Sequence, residues 1–408
     1  MLLVPKVNIK QWFNLVYIVI LFYALYCLYG GILAFDKPEY SRVYFLATKF
    51  VIYGCLPLGG IVLLQKRNIS KKNLILLLLP LFYLLINIFY SYEGYTGNWL
   101  TAGIVIGCFL LFTDEVKYKI FKLAYTLFLV QCIIALILWV GYLFHVPLGF
   151  SEVAYYGSNL TARYIKWGIF AIYSIRDSLR LCGIFNEPGG LGTLCALFFS
   201  ATFTVSPKWQ KLLLLATGFC TYSLAFYLLL FTFLALYMIR KNYKHIVWLL
   251  FVPILFMQIP NIDYGNEQMN RFAQRFAFSA ETGVAGNNRS TDLYDYEFAQ
   301  LMHSPRILIG QGIGYRLATT DLGGNSSSKR YVVEMGLIGF GIFLFLWFAI
   351  PLKYSRGNKD CLLFLLVFLL SAYQRPGALT APYGYILIFG GFAYIQYYQT
   401  LRQDRTHA

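Results

Sequence analysis

Long apolar segments, separated by shorter polar ones, run through most of this chain. A helix needs about 20 residues to cross the roughly 30 Å hydrocarbon core of a membrane. Because unpaired backbone groups are too costly in lipid, apolar runs of this kind must be helical. We therefore predict an all-α polytopic membrane protein with about twelve transmembrane helices. The predicted spans are 12–34, 43–64, 73–92, 98–113, 119–144, 188–205, 209–222, 223–240, 245–259, 331–352, 360–374 and 379–399.

The apolar run between Lys211 and Arg240 can be interpreted in two ways. It is too long for one upright pass and barely long enough for two. Basic residues at both ends favour two passes that break near Thr221–Ser223, since basic residues mark cytoplasmic connections. One long tilted helix is the alternative, and it would reverse part of the topology.

Lysine and arginine are concentrated in alternate short connections, which predicts that both termini lie in the cytoplasm. This topology leaves two long outer segments, 145–187 and 260–330, between helical regions 1–144, 188–259 and 331–408. Helix-like patterns at 162–173 and 293–302 predict amphipathic helices along the membrane surface. The basic residues of the predicted cytoplasmic connections are Lys66, Arg67, Lys71, Lys72, Lys117, Lys119, Lys208, Lys211, Arg240, Lys241, Lys244, Lys353, Arg356 and Lys359.

Composition agrees with a membrane protein and excludes several other classes. The 408 residues are 59% hydrophobic and 13% charged, whereas soluble domains carry about 25% charged residues. The net charge of +16 lies mostly in short loops, so it does not indicate nucleic-acid binding. The eight cysteines include no CxxC pair, so we expect neither a disulfide framework nor a zinc site. Lys6 and Lys10 precede an apolar segment without a cleavage site, which predicts a retained first helix.

The first outer segment ends in a polar motif that enters a predicted helix. Pro188 suits the first helical position, and Asn186 or Glu187 suits the cap, so a structural explanation is available. However, Arg180 and Glu187 also lie at the predicted boundary between lipid and water. There the planar fork of an arginine suits a diphosphate head group.

The second outer segment carries Arg289 and a glycine cluster formed by Gly310, Gly312 and Gly314. Such a GxGxG pattern outside a βαβ unit does not indicate dinucleotide binding. The glycines can permit a turn, or they can let backbone N–H groups approach an anion closely.

Glu334 follows about one turn into a predicted span. An ionisable group inside a membrane helix is a candidate functional residue. The structural alternative is an ion pair with Arg330, four residues earlier on the same helix.

Three motif groups mark these two outer segments and the helix that follows. In combination they resemble the O-antigen polymerase and ligase superfamily, which are bacterial membrane glycosyltransferases of GT-C-like layout that act on undecaprenyl-diphosphate-linked glycans. The resemblance covers the layout of the whole chain. The motif groups are Arg180…Gly183-Ile-Phe-x-Glu187-Pro188…Gly192, Arg289…Ile309-Gly310-x-Gly312-x-Gly314, and Glu334-x-Gly336-x-x-Gly339.

The resemblance implies an enzyme of the bacterial inner membrane whose active site faces the periplasm. Ligase-like members carry a histidine shortly after the glycine cluster. This chain has Gly323-Gly324-Asn325-Ser326 there, and His303 lies before the cluster. The difference favours a polymerase that extends O-antigen or capsule repeat units.

The resemblance also implies roles for particular residues in a transfer that needs neither metal nor cofactor. Cations stabilise the leaving diphosphate, and a base or an orienting acceptor engages the attacking sugar hydroxyl. The implied partners are undecaprenyl-diphosphate-linked glycans as donor and acceptor, membrane lipid and a chain-length regulator, with no nucleic acid. The expected diphosphate ligands are Arg180, Arg289, Arg316 and Arg330; the expected catalytic residues are Glu187, Glu334 and, less favoured, His303; the expected loop and turn residues are Asn186, Gly310, Gly312, Gly314 and Asn325.

Two alternatives stay open. One is a ligase with the same donor and a different acceptor. The other is a flippase for lipid-linked oligosaccharide, which should concentrate charge in a central cavity between two similar halves. The charge here is concentrated in the outer segments, and this disfavours the flippase.

Overall fold

The structure is a computed structural model, and it describes only part of the chain. The predicted span 73–92 and most of the spans 43–64 and 245–259 lie outside the described residues. The described residues are 9–29, 58–59, 105–156, 161–175, 178–245, 247, 258–265, 270, 273–274, 277–279, 283–284, 292–312, 315, 329–374 and 382–407.

Most of the described residues are helical, as predicted. The helices are α1 (Ile9–Tyr29), α2 (Asp114–Leu143), α3 (Pro188–Thr202), α4 (Lys208–Cys220), α5 (Leu224–Lys241), α6 (Asp292–Met302), α7 (Lys329–Leu344), α8 (Ile350–Tyr354), α9 (Lys359–Gln374), α10 (Pro382–Tyr385) and α11 (Gly391–His407). Stretches of π-helix join α7 to α8 (Phe345–Ala349) and α10 to α11 (Ile386–Gly390). Short 3₁₀ helices are Tyr243–His245, Ile259–Asn261 and Pro305–Leu308.

Some of these helices are long and apolar enough to cross a membrane. Within the described residues there are three of them, Asp114–Leu143, Leu224–Lys241 and the combined helix Lys329–Tyr354, and Leu15–Leu28 and Pro188–Thr202 are shorter apolar helices. The prediction of a largely helical chain with membrane-spanning character is therefore confirmed. The count of twelve passes stays a prediction.

The predicted break at Thr221–Ser223 is confirmed, and the single long helix is excluded. Helices α4 and α5 are separated there, and Tyr222 adopts a left-handed backbone conformation with φ 46°. The turn packs tightly on α3, because a Cβ added at Gly192 would lie 2.8 Å from the Cβ of Ser223. From this turn α5 runs alongside α3, since the ring of Phe203 at the end of α3 packs on Tyr237.

The first outer segment is a sheet, so the prediction of an amphipathic helix at 162–173 is wrong. Four antiparallel strands follow one another in the order β1-β2-β3-β4. Gly168, with φ 56°, occupies the turn between β2 and β3, where a helix would have to continue. Residues 162–173 are also rich in β-branched and aromatic types that favour strands. The strands are β1 (Ser151–Tyr156), β2 (Thr161–Trp167), β3 (Phe170–Ile175) and β4 (Ser178–Gly183), and a second sheet pairs β5 (Phe278–Ser279) with β6 (Gly283–Val284).

The helix predicted at 293–302 is confirmed by α6 (Asp292–Met302), and its position along the membrane surface stays a prediction. This helix buries Tyr294 and Leu301 against Val333 of α7 in a small cluster of its own. The second outer segment is thereby attached to the first turns of α7.

The main core lies between the long helices and is rich in aromatic side chains. Phe128 of α2 packs on Phe198 of α3, with ring centroids 4.7 Å apart. Trp347 packs on Tyr385 at 4.2 Å. The core therefore joins α2 and α3 on one side to the helices at the carboxyl end of the chain.

One end of the helical assembly holds a buried lysine. Lys117 is fully buried, and its Nζ donates to the hydroxyl of Tyr354 at 2.6 Å and to the carbonyl of Leu110 at 3.2 Å. The Tyr354 hydroxyl in turn donates to Asp114 at 3.0 Å. A buried ammonium group is tolerated because these oxygens replace its lost water contacts.

Candidate substrate site

The glycine cluster of the second outer segment lies directly against helix α7. The backbone N–H of Gln311 donates to the carbonyl of Val333 at 2.7 Å, and that of Gly312 donates to the carbonyl of Glu334 at 3.0 Å. Two motif groups that stand more than 20 residues apart in the sequence are thus brought together. We call residues 310–312 the glycine loop.

A break in α7 makes these hydrogen bonds available. Gly336 lies inside the helix with φ 65° and ψ −177°, so the regular pairing of carbonyls with N–H groups four residues later is interrupted here. The carbonyls of Val333 and Glu334 lie just before the break. The glycine loop supplies the donors that these carbonyls need.

Glycine is required on both sides of this contact. Gly310 has φ 79°, and an added Cβ would lie 2.5 Å from the backbone nitrogen of Gly336. A Cβ at Gly336 would overlap the carbonyl oxygen of Leu308. Of the two alternatives that the sequence left open, the turn is the one seen for Gly310 and Gly312, which have φ 79° and 105°. The partner of their segment is the α7 backbone, and the N–H groups of Gln311 and Gly312 are used there.

Glu334 and Arg330 form the i, i+4 ion pair that the sequence offered as the structural alternative to a functional Glu334. The Nε atom of Arg330 lies 3.0 Å from Oε1 of Glu334, and the side chains are 28% and 2% exposed. The carboxylate is therefore enclosed by protein, while part of the guanidinium reaches the surface. The pair therefore exposes the positive charge of Arg330 at the protein surface, and the Glu334 carboxylate lies buried next to it.

Further charged side chains connect the elements around α7. Lys329 binds Asp295 of α6 at 2.8 Å and lies 5.4 Å from the ring centroid of Phe298. Arg306 donates to the side chain of Gln311 in the glycine loop at 3.3 Å. The sequence prediction did not include Lys329, Asp295 or Arg306. The basic pair at the start of α7 was a signal for Lys329, but the pairing with α6 requires the fold.

His303 lies in the turn after α6, with its side chain exposed. Its backbone N–H donates to the carbonyl of Gln300 at 3.2 Å, which closes the end of the helix. The structure thus places His303 on the surface of the second outer segment, next to the 3₁₀ helix that leads into the glycine loop.

Arg180 is held by the turn between α4 and α5. Its Nε donates to the carbonyl of Thr221 at 3.1 Å, and its Nη2 donates to the carbonyl of Tyr222 at 3.0 Å. These carbonyls follow the last residue of α4, where a positive charge is favourable to the helix dipole. The side chain is half-buried in strand β4, so the sheet and the helical hairpin are joined through it.

Glu187 caps α3 as predicted. It has an extended backbone with φ −150°, and Pro188 takes the first helical position. Its side chain makes no capping hydrogen bond and, like that of Asn186, is exposed. The Asn186 carbonyl accepts a hydrogen bond from the hydroxyl of Tyr164 at 2.9 Å, which ties this helix start to the sheet.

Arg180 and Glu187 both act on the buried thiol of Cys182. Burial raises the pKa of Cys182; the charge of Glu187 raises it further, and that of Arg180 lowers it. The two motif residues therefore share one neighbourhood, where α3 begins and α4 ends. Their predicted position at the boundary between lipid and water stays a prediction. The thiol itself stays protonated, so it is not a nucleophile at neutral pH.

Four predicted site residues lie outside the described residues, namely Arg289, Arg316, Gly314 and Asn325. The shared cleft between Arg180 and Arg289 therefore stays a prediction. In the part of the chain that the structure describes, no group of three or more His, Cys, Asp or Glu side chains could hold a metal ion.

Fold and site together define a largely helical chain with helices long and apolar enough to span a membrane, a four-stranded antiparallel sheet and a glycine loop on a broken helix. No protein-family model, curated protein or solved structure matches the chain. The resemblance to the O-antigen polymerase and ligase superfamily therefore stays a prediction from the sequence.

Proposed function

We propose that this chain is a membrane glycosyltransferase that polymerises undecaprenyl-diphosphate-linked oligosaccharide repeat units into O-antigen or capsular polysaccharide. The observation that carries the proposal is the contact between the glycine loop and the Glu334 segment of α7, through hydrogen bonds of 2.7 and 3.0 Å. These segments are two of the three motif groups on which the resemblance rests. Motifs that serve one site are expected to meet in the fold.

The proposed reaction is a displacement at the anomeric carbon of the donor sugar. The hydroxyl oxygen of the acceptor attacks that carbon, and the bond from carbon to the diphosphate oxygen breaks. The electron pair leaves with undecaprenyl diphosphate, and the hydroxyl proton passes to a carboxylate. The energetic task of the protein is to stabilise the charge that develops on the diphosphate and to accept that proton.

The Arg330–Glu334 pair suits both tasks. Arg330 is the more exposed partner, and its planar fork can bind phosphate oxygens in two-pronged fashion. When Arg330 binds a phosphate, the Glu334 carboxylate loses its ion pair with Arg330 and accepts a hydrogen bond from the acceptor hydroxyl instead. Glu334 is therefore our choice for the proton acceptor, with Glu187 and His303 as secondary candidates.

Arg180 enters the proposal in a double role. Two of its donors hold the Thr221–Tyr222 turn, and its charge adds to the positive field that favours a diphosphate at the outer end of α3 and α4. Arg289 and Arg316 complete the proposed set of cations. We further propose twelve passes in the inner membrane, cytoplasmic termini and a site that faces the periplasm.

The decisive experiment uses Glu334→Gln expressed in a strain that lacks the chromosomal gene. We expect surface polysaccharide reduced to single repeat units, measured as the chain-length distribution on a gel, at unchanged protein level. The matched control is Glu115→Gln, because Glu115 forms an i, i+4 pair with Lys119 at 2.7 Å on α2. Normal chain lengths for Glu334→Gln would refute the catalytic assignment.

The deletion strain itself separates the three candidate functions. Loss of a polymerase leaves single capped repeats. Loss of a ligase leaves free lipid-linked polymer, and loss of a flippase leaves lipid-linked repeats on the cytoplasmic face. Either of the last two outcomes would overturn the polymerase proposal.

A further inference from the structure

The turn between strands β2 and β3 exposes large apolar side chains. Trp167 pairs with Phe170 across the hairpin, so Gly168 and Ile169 form a two-residue loop with a positive φ at Gly168. Trp167 is 42% exposed and Ile169 is 52% exposed. Hairpin loops normally carry polar or small residues. We call residues 167–169 the hairpin tip.

Helix α2 carries an exposed apolar stripe that leads toward this sheet. Its members are spaced three or four residues apart, which places them on one face of the helix. Each is at least 40% exposed. Because α2 is long and apolar enough to cross a membrane, this face is the one that acyl chains would contact. The members are Val130, Ile133, Ile137 and Val140, and the exposed Phe144 follows directly after the end of the helix.

The hairpin tip lies beside the outer half of α2. Trp167 lines an apolar crevice together with Leu138 of α2 and Phe150, which follows that helix. Leu138 lies five residues before the end of α2 at Leu143, or about 8 Å along the helix axis at 1.5 Å per residue. Trp167 is thus level with a part of α2 whose neighbouring face carries Ile137 and Val140.

The residues around the tip have the chemistry of a membrane interface. Tryptophan is enriched at the level of the lipid head groups. The adjacent Lys166 is partly buried, and burial lowers the pKa of its ammonium group. A lysine stem can lie along apolar surface while its charged end reaches the head groups. Val146 and Leu148, which follow α2, add two more exposed apolar side chains.

We infer that the hairpin tip inserts into the lipid bilayer and anchors the outer sheet at the boundary between head groups and acyl chains. The partner is the phospholipid of the leaflet in which α2 ends. The argument is continuity of apolar surface, since the exposed Trp167 lies against Leu138 of a helix that is long and apolar enough to cross a membrane, and the neighbouring face of that helix carries the exposed stripe. This inference does not depend on glycosyl transfer, so it can stand or fall separately from the proposed function.

Depth-dependent fluorescence quenching tests the inference on the full-length chain. A bimane fluorophore is attached at Ile169→Cys, and the chain is reconstituted in phosphatidylcholine vesicles that contain acyl-chain nitroxide lipids. The matched control is Arg163→Cys, because Arg163 is an exposed residue at the other end of the same strand β2. The wild-type chain, labelled in parallel, gives the background from the native cysteines.

We expect nitroxide quenching at position 169 to exceed that at position 163 by at least about twofold, with the reverse order for aqueous iodide, as befits an interfacial site. Equal quenching at the two positions would overturn the inference. Protection of position 169 from both quenchers would overturn it as well, because it would indicate a protein partner or a second copy of the chain. Quenching of tryptophan emission by brominated lipids provides a second readout that needs no cysteine. We expect the emission that is lost in Trp167→Phe to be emission that these lipids quench in the wild-type chain.

Discussion

Gly336 shows how much of this site depends on a single residue without a side chain. Its left-handed conformation breaks α7, and its missing Cβ lets the glycine loop approach the helix backbone. Either property alone would favour glycine, and together they exclude other residues without local rearrangement.

Gly336→Ala should therefore lower the free energy of unfolding. Strain at a left-handed position costs of order 1–3 kcal/mol, and the overlap of the new Cβ with the Leu308 carbonyl adds to it. The measurement is the unfolding midpoint in mixed detergent micelles. The control is Gly341→Ala in the same helix, where an added Cβ meets nothing within 4 Å and alanine should be neutral or stabilising by about 0.5–1 kcal/mol. Equal midpoints for the two variants would contradict the close contact.

Arg180 offers a second test at the scale of single residues. Arg180→Ala should open the turn between α4 and α5, because it removes two charged donors from the Thr221 and Tyr222 carbonyls. Hydrogen bonds to charged groups contribute about 1.5–3 kcal/mol, so local opening should increase about tenfold or more. The measurement is the rate of thiol labelling at Cys220, the last residue of α4.

Arg180→Lys should restore little of this protection, since a lysine cannot supply two donors in a planar fork. Arg163→Ala serves as the control for loss of an arginine from the same sheet. If the labelling rate of Cys220 were unchanged in Arg180→Ala, the turn would not depend on this side chain. A loss of long polymer without faster labelling would instead support the diphosphate role alone.

At the scale of elements, the four-stranded sheet is the feature that the prediction from sequence missed. Residues 162–173 are mostly apolar, with Arg163 and Lys166 three residues apart as on one face of a helix, although their β-branched and aromatic types favour strands. The pairing partners that decide between them, such as Tyr173 with Arg180, depend on the path of the chain through two further turns.

A disulfide test distinguishes a strand pair from a helix at residues 162–173. Arg163 and Ser174 face each other across β2 and β3, and directly opposed residues have Cα atoms about 4.5–5.5 Å apart, within disulfide range. We expect Arg163→Cys with Ser174→Cys to cross-link readily on mild oxidation, as detected by mass spectrometry. The control pair is Arg163→Cys with Trp167→Cys. These two positions would be neighbours on a helix but are about 13 Å apart along a strand. Cross-linking of the control pair alone would restore the helix.

Elements specified by local sequence were predicted well. Pro188 marked the start of α3, and Thr221–Ser223 marked the break between α4 and α5. The four-residue spacing of Arg330 and Glu334 suggested their ion pair as the structural alternative to a functional role. Contacts between distant segments were not accessible in this way. Arg180 binds carbonyls 41 and 42 residues further along the chain. The sequence around Arg180 gives no signal for these partners.

At the scale of the whole molecule, two of the polar clusters in the described part of the chain lie toward opposite ends of the combined helix Lys329–Tyr354. One region contains Lys117, Tyr354 and Asp114 and joins α2 to the end of α8. The other contains the glycine loop, the Arg330–Glu334 pair and α6. Between them lies the aromatic core, so the two polar regions are positioned by apolar packing.

The break in α7 couples movement of the glycine loop to movement of the long helix that it contacts. The glycine loop takes the place of a missing helical turn, because it pairs carbonyls that the helix itself leaves unpaired. If the loop lifted away, two buried acceptors would lose their donors at a cost of about 1–3 kcal/mol each. Any displacement of the loop, for instance by an arriving substrate, is therefore transmitted to the axis of a long apolar helix.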